Sequence, residues 1–225
     1  MLKRFFARKY QTLTHEISEP LDGITIDIDT GDVSIFSAKE AVCRVVCRER
    51  RKAPHTVAVK GGTLVIEPTS RALVSFYKPQ INVYIPAGKC GDLQIKSKTG
   101  KAIVEGISAT SLALSAVTGR VDIAEVACER DITITLNTGG VSLKNTVARG
   151  KLFVRTKTGG IQLDGCDATE LSLKSNTGSV SGTLLSEKVF CARSKTGRIT
   201  LPQITSVGKC EIQTNTGKVK IEIKE

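Results

Sequence analysis

The chain has 225 residues, 40% of them apolar, which is ample for a buried core and too apolar for a disordered segment. Lys and Arg outnumber Asp and Glu by 33 to 22, a net charge of +11, so the company to expect is polyanionic. With 4% aromatics, no Trp and only His15 and His55, the composition argues against imidazole catalysis, a His-rich metal centre and a base-stacking platform.

Residues 1–20 are basic, and Leu2, Phe5, Phe6 and Leu13 fall near one face at helical spacing. The spacing predicts a short helix that caps an open end of the fold, with a weak interfacial membrane anchor as the second reading. The apolar stretch behind the first charges is too short for a secretory signal, and no run approaches the roughly 18–20 apolar residues of a membrane-spanning helix. The expected location is therefore cytoplasmic, at most peripheral on the inner membrane face.

Residues 21–90 read as an N-terminal β-region. Ile24, Ile26, Ile28, Val33 and Ile35 alternate with polar residues around a Thr30-Gly31 turn. Strand-like runs follow at 41–49, 56–67 and 81–86, with a hairpin turn at Gly61-Gly62.

Residues 91–225 repeat. Thr-Gly recurs at Thr99, Thr118, Thr138, Thr158, Thr177, Thr196 and Thr216, at spacings of 19, 20, 20, 19, 19 and 20 residues. Six and four residues before each Thr, and three and five after it, apolar residues recur, as in Ile132, Ile134, Val141 and Leu143. Each copy is thus two short strands around a turn in which Gly adopts the φ a side chain would forbid. A twenty-residue unit loses on the order of 30 kcal/mol of conformational entropy on ordering, and its few aliphatics return about 1.5–3 kcal/mol each. The copies must therefore stack. The expected fold is an all-β, single-stranded β-solenoid of 19–20-residue coils, seven of them continuous with residues 21–90. The first coil, around Thr30, matches the same register.

Cys43, Cys47, Cys90, Cys128, Cys166, Cys191 and Cys210 form no CxxC and no zinc spacing. They read mostly as small buried hydrophobes in a reducing compartment, with a surface thiol as the alternative.

The repeat also sorts charge. From three residues before each Thr to two after it, the seven copies carry Lys96, Lys98, Lys101, Arg120, Arg155, Lys157, Lys174, Arg193, Lys195, Arg198 and Lys218, and no acidic residue. Stacking turns this into a cationic edge. The Thr30 coil reverses the sign with Asp27, Asp29 and Asp32. The candidate partners are anionic lipid, a wall polymer or a protein, with nucleic acid as a second reading and self-association through the charge reversal as a third. Lys along an edge also discourages sideways strand pairing.

The Ile28-Asp29-Thr30-Gly31-Asp32-Val33-Ser34-Ile35 strand pair, the hairpin Gly61-Gly62-Thr63-Leu64-Val65-Ile66, the strand ending Val83-Tyr84-Ile85-Pro86 and the run of Thr-Gly-x-Val/Ile coils together resemble the bacterial adhesin-like β-solenoid family, catalogued as a domain of unknown function. The likeness spans about 21–225. It implies a bacterial surface or membrane-associated protein, in some relatives tied to envelope stress signalling, and it supplies no catalytic residues.

No cofactor or metal is expected. Asp29-Thr30-Gly31 imitates the aspartic-protease tripeptide, but that chemistry needs two carboxylates sharing a proton, and the other Thr-Gly turns lack the Asp. Calcium-binding rolls carry Gly-Gly-x-Gly-x-Asp, where these turns carry Lys, Arg and Asn. Thr156-x-Thr158 and Thr214-x-Thr216 hint at an ice-binding ladder, which Lys157 interrupts. No nucleophile constellation, P-loop or dinucleotide fingerprint occurs.

Overall fold

The computed structural model describes residues 10–69, 78–203 and 208–224. These residues are all-β and build a β-solenoid-like column. The N-terminal strands are β1 (Tyr10–Ile17), β2 (Gly23–Thr30), β3 (Asp32–Ala38), β4 (Cys43–Arg50), β5 (His55–Lys60), β6 (Thr63–Pro68) and β7 (Gln80–Pro86). The repeats supply β8 (Lys89–Glu105), β9 (Ser108–Ala124), β10 (Ala127–Cys128), β11 (Ile132–Thr138), β12 (Val141–Lys144), β13 (Val147–Thr158) and β14 (Ile161–Thr177). The last strands are β15 (Val180–Leu184), β16 (Val189–Thr196), β17 (Ile199–Thr200), β18 (Lys209–Thr216) and β19 (Val219–Ile223).

Parallel pairing joins the coils in register, Thr upon Thr. Thr30 lies opposite Thr99, Thr99 opposite Thr118, Thr118 opposite Thr138, Thr138 opposite Thr158, and Thr158 opposite Thr177. The inward apolar positions stack with them, so Ile24, Leu93, Leu112, Ile132, Leu152 and Leu171 run down one buried line. One continuous core results.

Consecutive copies do not stack consecutively at the C-terminal end. β14 pairs with β18, placing Thr177 opposite Thr216, and β16 pairs with the far side of β18, placing Thr196 opposite Thr216. The last copy is therefore inserted beneath the one before it. The other end behaves alike: β6 and β7 follow β2 and β3 in sequence yet lie outside them, with Leu64 against Ile24 and Ile81 against Val33.

Proline accounts for the C-terminal exchange. A middle rung must donate N–H groups to the rungs on both sides, which proline cannot do. Pro202 follows β17 in the outermost C-terminal rung, while β8 to β16 and β18 contain no proline; at the other end β6 and β7, which end in Pro68 and Pro86, carry β5 and β4 on their far sides.

Two further corrections follow. The coils from Thr99 to Thr177 contain a third short strand besides the two expected, pairing Cys90, Ala109, Cys128, Ala148 and Ala168 in a line of small buried residues. The expected N-terminal helix also fails where it can be seen. Leu13 lies in β1, which pairs antiparallel with β4, its side chain exposed; Leu2, Phe5 and Phe6 lie outside the described residues. Alternation in β1 is weak, but pairing with β4 gives its backbone an edge to complete. Among the described residues no helix is long and apolar enough to cross a membrane.

Candidate functional site: cation columns beside the Thr-Gly corner

The corner itself is held by a ladder of inward hydroxyls, buried at Thr156, Ser175 and Thr214 and half-buried at Ser194. Two residues before each Thr, Thr156, Ser175, Thr214 and Ser194 point inward. Each donates to the carbonyl of the glycine one rung along: Gly139 at 3.1 Å, and Gly159, Gly178 and Gly217 at 3.0 Å each. The glycines need their special backbone here. Gly139 has φ +141°, and a Cβ on it would run into the Gly119 carbonyl of the rung below.

A rigid corner fixes what lies beside it. Period-two alternation turns the residues three and one before each Thr outward on one face. The first column reads Asp27, Lys96, Ser115, Thr135, Arg155, Lys174, Gln213 and Arg193 in spatial order. The second, between paired neighbours, reads Asp29, Lys98, Val117, Asn137, Lys157, Asn176, Asn215 and Lys195. Lys101, Arg120, Arg198 and Lys218 stand two residues after their Thr, around the corner from these columns. The eleven expected cations thus gather along one corner but divide between its two sides.

Four of the eleven meet acids, three of them ones that the sequence window did not include. Lys98 pairs with Asp29 at 2.7 Å and Lys174 with Glu211 at 3.4 Å. Around the corner, Asp122 takes both Arg120 at 2.7 Å and Lys101 at 2.9 Å. Partial burial pushes the Asp122 carboxyl up, but its bonds to Arg120 and Lys101 outweigh this and hold it below the usual carboxylate range. Among the described residues Lys96, Arg155, Lys157, Arg193, Lys195, Arg198 and Lys218 have no ion pair.

The two columns border a groove of about 410 Å³. Arg155 and Lys157 close one end, Lys96 and Lys98 stand near the other with Asp27 beyond them, and Ser115, Val117, Thr135 and Asn137 line the stretch between. Val117 is the apolar exception, nearly half exposed. This arrangement can hold anions and hydroxyl-bearing chains. Among the described residues no group of His, Cys, Asp or Glu is placed to hold a metal ion, and Asp29 of the protease-like tripeptide is engaged by Lys98. Burial raises the thiols of Cys43 and Cys90 to about 11 and those of Cys47, Cys128 and Cys210 to about 12, and it raises Cys166 too; Cys191 is exposed.

A family model described as Toastrack DUF4097 matches residues 21–225. Among solved structures, a "putative adhesin" of Bacteroides fragilis is similar over 95% of this chain and 97% of its own, at 15% identity and a TM-score of 0.52. A "putative cell adhesion protein" of Clostridium sporogenes covers 96% and 100%, at 12% identity and a TM-score of 0.45. No curated protein matches. The likeness to the Bacteroides fragilis structure bears on fold alone.

Proposed function

The chain belongs to the Toastrack DUF4097 family, and on that footing we propose that it is a non-enzymatic, adhesin-like β-solenoid scaffold of the bacterial cell envelope. Its basic columns bind an anionic partner. The observation that carries this reading is the in-register stacking of Lys96, Arg155, Lys157, Arg193 and Lys195 on one outward face without acidic partners among the described residues. Cations in one line repel each other, and an anion laid over them relieves that repulsion. The similar protein of Bacteroides fragilis, described as an adhesin, agrees with a binding role. An envelope location is part of the same reading and is checked by fractionating native cells.

The test is co-sedimentation with anionic vesicles and with isolated wall polymer at rising salt. Binding that weakens with salt is expected, and it is lost when Lys96, Lys98, Arg155, Lys157, Arg193 and Lys195 are each replaced by Glu. Binding that survives this sixfold reversal removes the columns from the account.

A further inference from the structure

The exchange of the last two rungs changes the spacing of the cations. In the two columns, doubly basic rungs occur at Thr99 (Lys96, Lys98), Thr158 (Arg155, Lys157) and Thr196 (Arg193, Lys195). From Lys96 the pairing passes Ser115 and Thr135 to Arg155, three rungs away. From Arg155 it passes Lys174 and Gln213 to Arg193, again three rungs. At ~4.8 Å per rung, the three clamps stand about 14 Å apart, twice over. Stacking in sequence order would have made the second interval about 10 Å.

Between the clamps the columns are mostly neutral and hydrogen-bonding: Ser115, Thr135 and Asn137 in the first interval, Asn176, Gln213 and Asn215 in the second. The one cation there, Lys174, is tied to Glu211. Neither column contains an aromatic residue to stack a base. At the Thr30 rung Asp29 holds Lys98 at 2.7 Å and Asp27 lies in register with Lys96, so an anion on the first clamp takes Lys98 from Asp29 and is barred from running further.

Building on the proposed anion-binding role, we propose that the columns hold one linear phosphodiester polymer along the column axis. Alternate phosphates seat on the three clamps, and the hydroxyl-bearing segments between them lie over the Ser, Thr, Asn and Gln rungs. A polyol-phosphate chain of the kind found in wall polymers has this alternation of charge and hydroxyl. A continuously charged chain and a flat lipid surface do not.

The experiment measures affinity by fluorescence anisotropy for poly(glycerol phosphate) chains of graded length, with inorganic polyphosphate, single-stranded DNA and anionic vesicles as comparison arms. Affinity is expected to rise in two steps of about tenfold or more, when chains first span about 14 Å and then about 29 Å, because each added clamp binds intramolecularly. The fourfold variant Thr135→Arg, Asn137→Lys, Arg155→Thr, Lys157→Asn keeps the net charge and moves the middle clamp by one rung. Its first step is expected to shift to chains spanning about 10 Å. The double variant Arg155→Thr, Lys157→Asn should retain only the step near 29 Å, so that misfolding of the fourfold variant would not leave the question open. A smooth length dependence, a step that stays put in the fourfold variant, or tighter binding of polyphosphate, DNA or vesicles overturns the assignment while leaving an anion-binding scaffold. Absence of salt-sensitive binding to every arm overturns the scaffold reading as well.

Discussion

Gly139 and Gly140 are adjacent glycines for which the stacked corner demands opposite outcomes. Gly139 sits at φ +141°, and a methyl there would meet the Gly119 carbonyl carbon and oxygen, and the Leu136 side chain at 3.2 Å. The backbone obstacle cannot yield without spoiling the ladder between two rungs. Strain at such a backbone angle costs about 1–3 kcal/mol, and a displaced backbone hydrogen bond in a buried ladder about 1–3 kcal/mol more. Gly139→Ala should therefore lose about 3–4 kcal/mol, or roughly 10 °C in Tm for a chain of this size. Gly140 has no positive φ, and its added methyl would find only the Gly160 carbonyl oxygen at 3.6 Å, an ordinary contact. Gly140→Ala should be neutral to about 1 kcal/mol stabilising, through the less flexible unfolded chain. Denaturant midpoints and thermal melts of the two variants read this directly. Equal shifts, or a Gly139→Ala protein as stable as its parent, would refute the stacking of turns carbonyl over glycine.

Glu49, only 1% exposed, accepts the His55 backbone N–H at 2.7 Å and faces His55 Nδ1 at 2.7 Å. Glu49→Ala orphans that N–H and should cost about 1–3 kcal/mol, whereas Glu49→Gln, which keeps an acceptor, should recover most of it in the same melts. Thiol titration of the native protein should find Cys191 alone reacting fast, and all 7 cysteines after unfolding; several fast native thiols would contradict the buried line. Because burial raises the folded pKa of Cys43, Cys47, Cys90, Cys128 and Cys210 from 9.0 to about 11 or 12, their contribution to stability is complete below pH 9. It is lost as pH rises from there toward the folded values. Each buried thiol should subtract about 1 kcal/mol by pH 10, seen as a Tm that falls between pH 8 and 10, and a flat profile would contradict it.

The inward residues of every coil were legible in the sequence because burial imposes a period of two within a strand and a recurring Thr-Gly between strands. Ile132, Ile134, Val141 and Leu143 are buried as that pattern requires. Which copy lies against which is a different kind of fact. Thr196 and Thr216 present the same Thr-Gly pattern, and the turns themselves do not distinguish inner from outer. Proline did carry the signal, since Pro202 denies its coil a place in the middle. A second signal was Glu187, which stands nine residues before Thr196, at the position where earlier copies put Cys90, Ala109 and Ala168. Beside it, Lys188 is buried against Asp167 at 2.9 Å, a contact that belongs to the altered path.

The cations were legible for the same reason as the core, being locked to the Thr-Gly register. Their neutralisation was not. Asp122 and Glu211 sit outside the window in their own coils and reach Lys101 and Lys174 only through stacking. The even spacing of the clamps was hidden too, because it depends on the order of the rungs.

That order is the claim on which the clamp spacing and the proposed ligand both rest, and cysteine pairs test it in one oxidation experiment on a Cys191→Ser background. Asn176 and Asn215 occupy neighbouring rungs, about 4.8 Å apart and within reach of a disulfide, while Asn176 and Lys195 are two rungs apart, about 10 Å. The exchanged order predicts rapid closure for Asn176→Cys with Asn215→Cys and none for Asn176→Cys with Lys195→Cys. The reverse result would show that the copies stack in sequence order and would contradict the account.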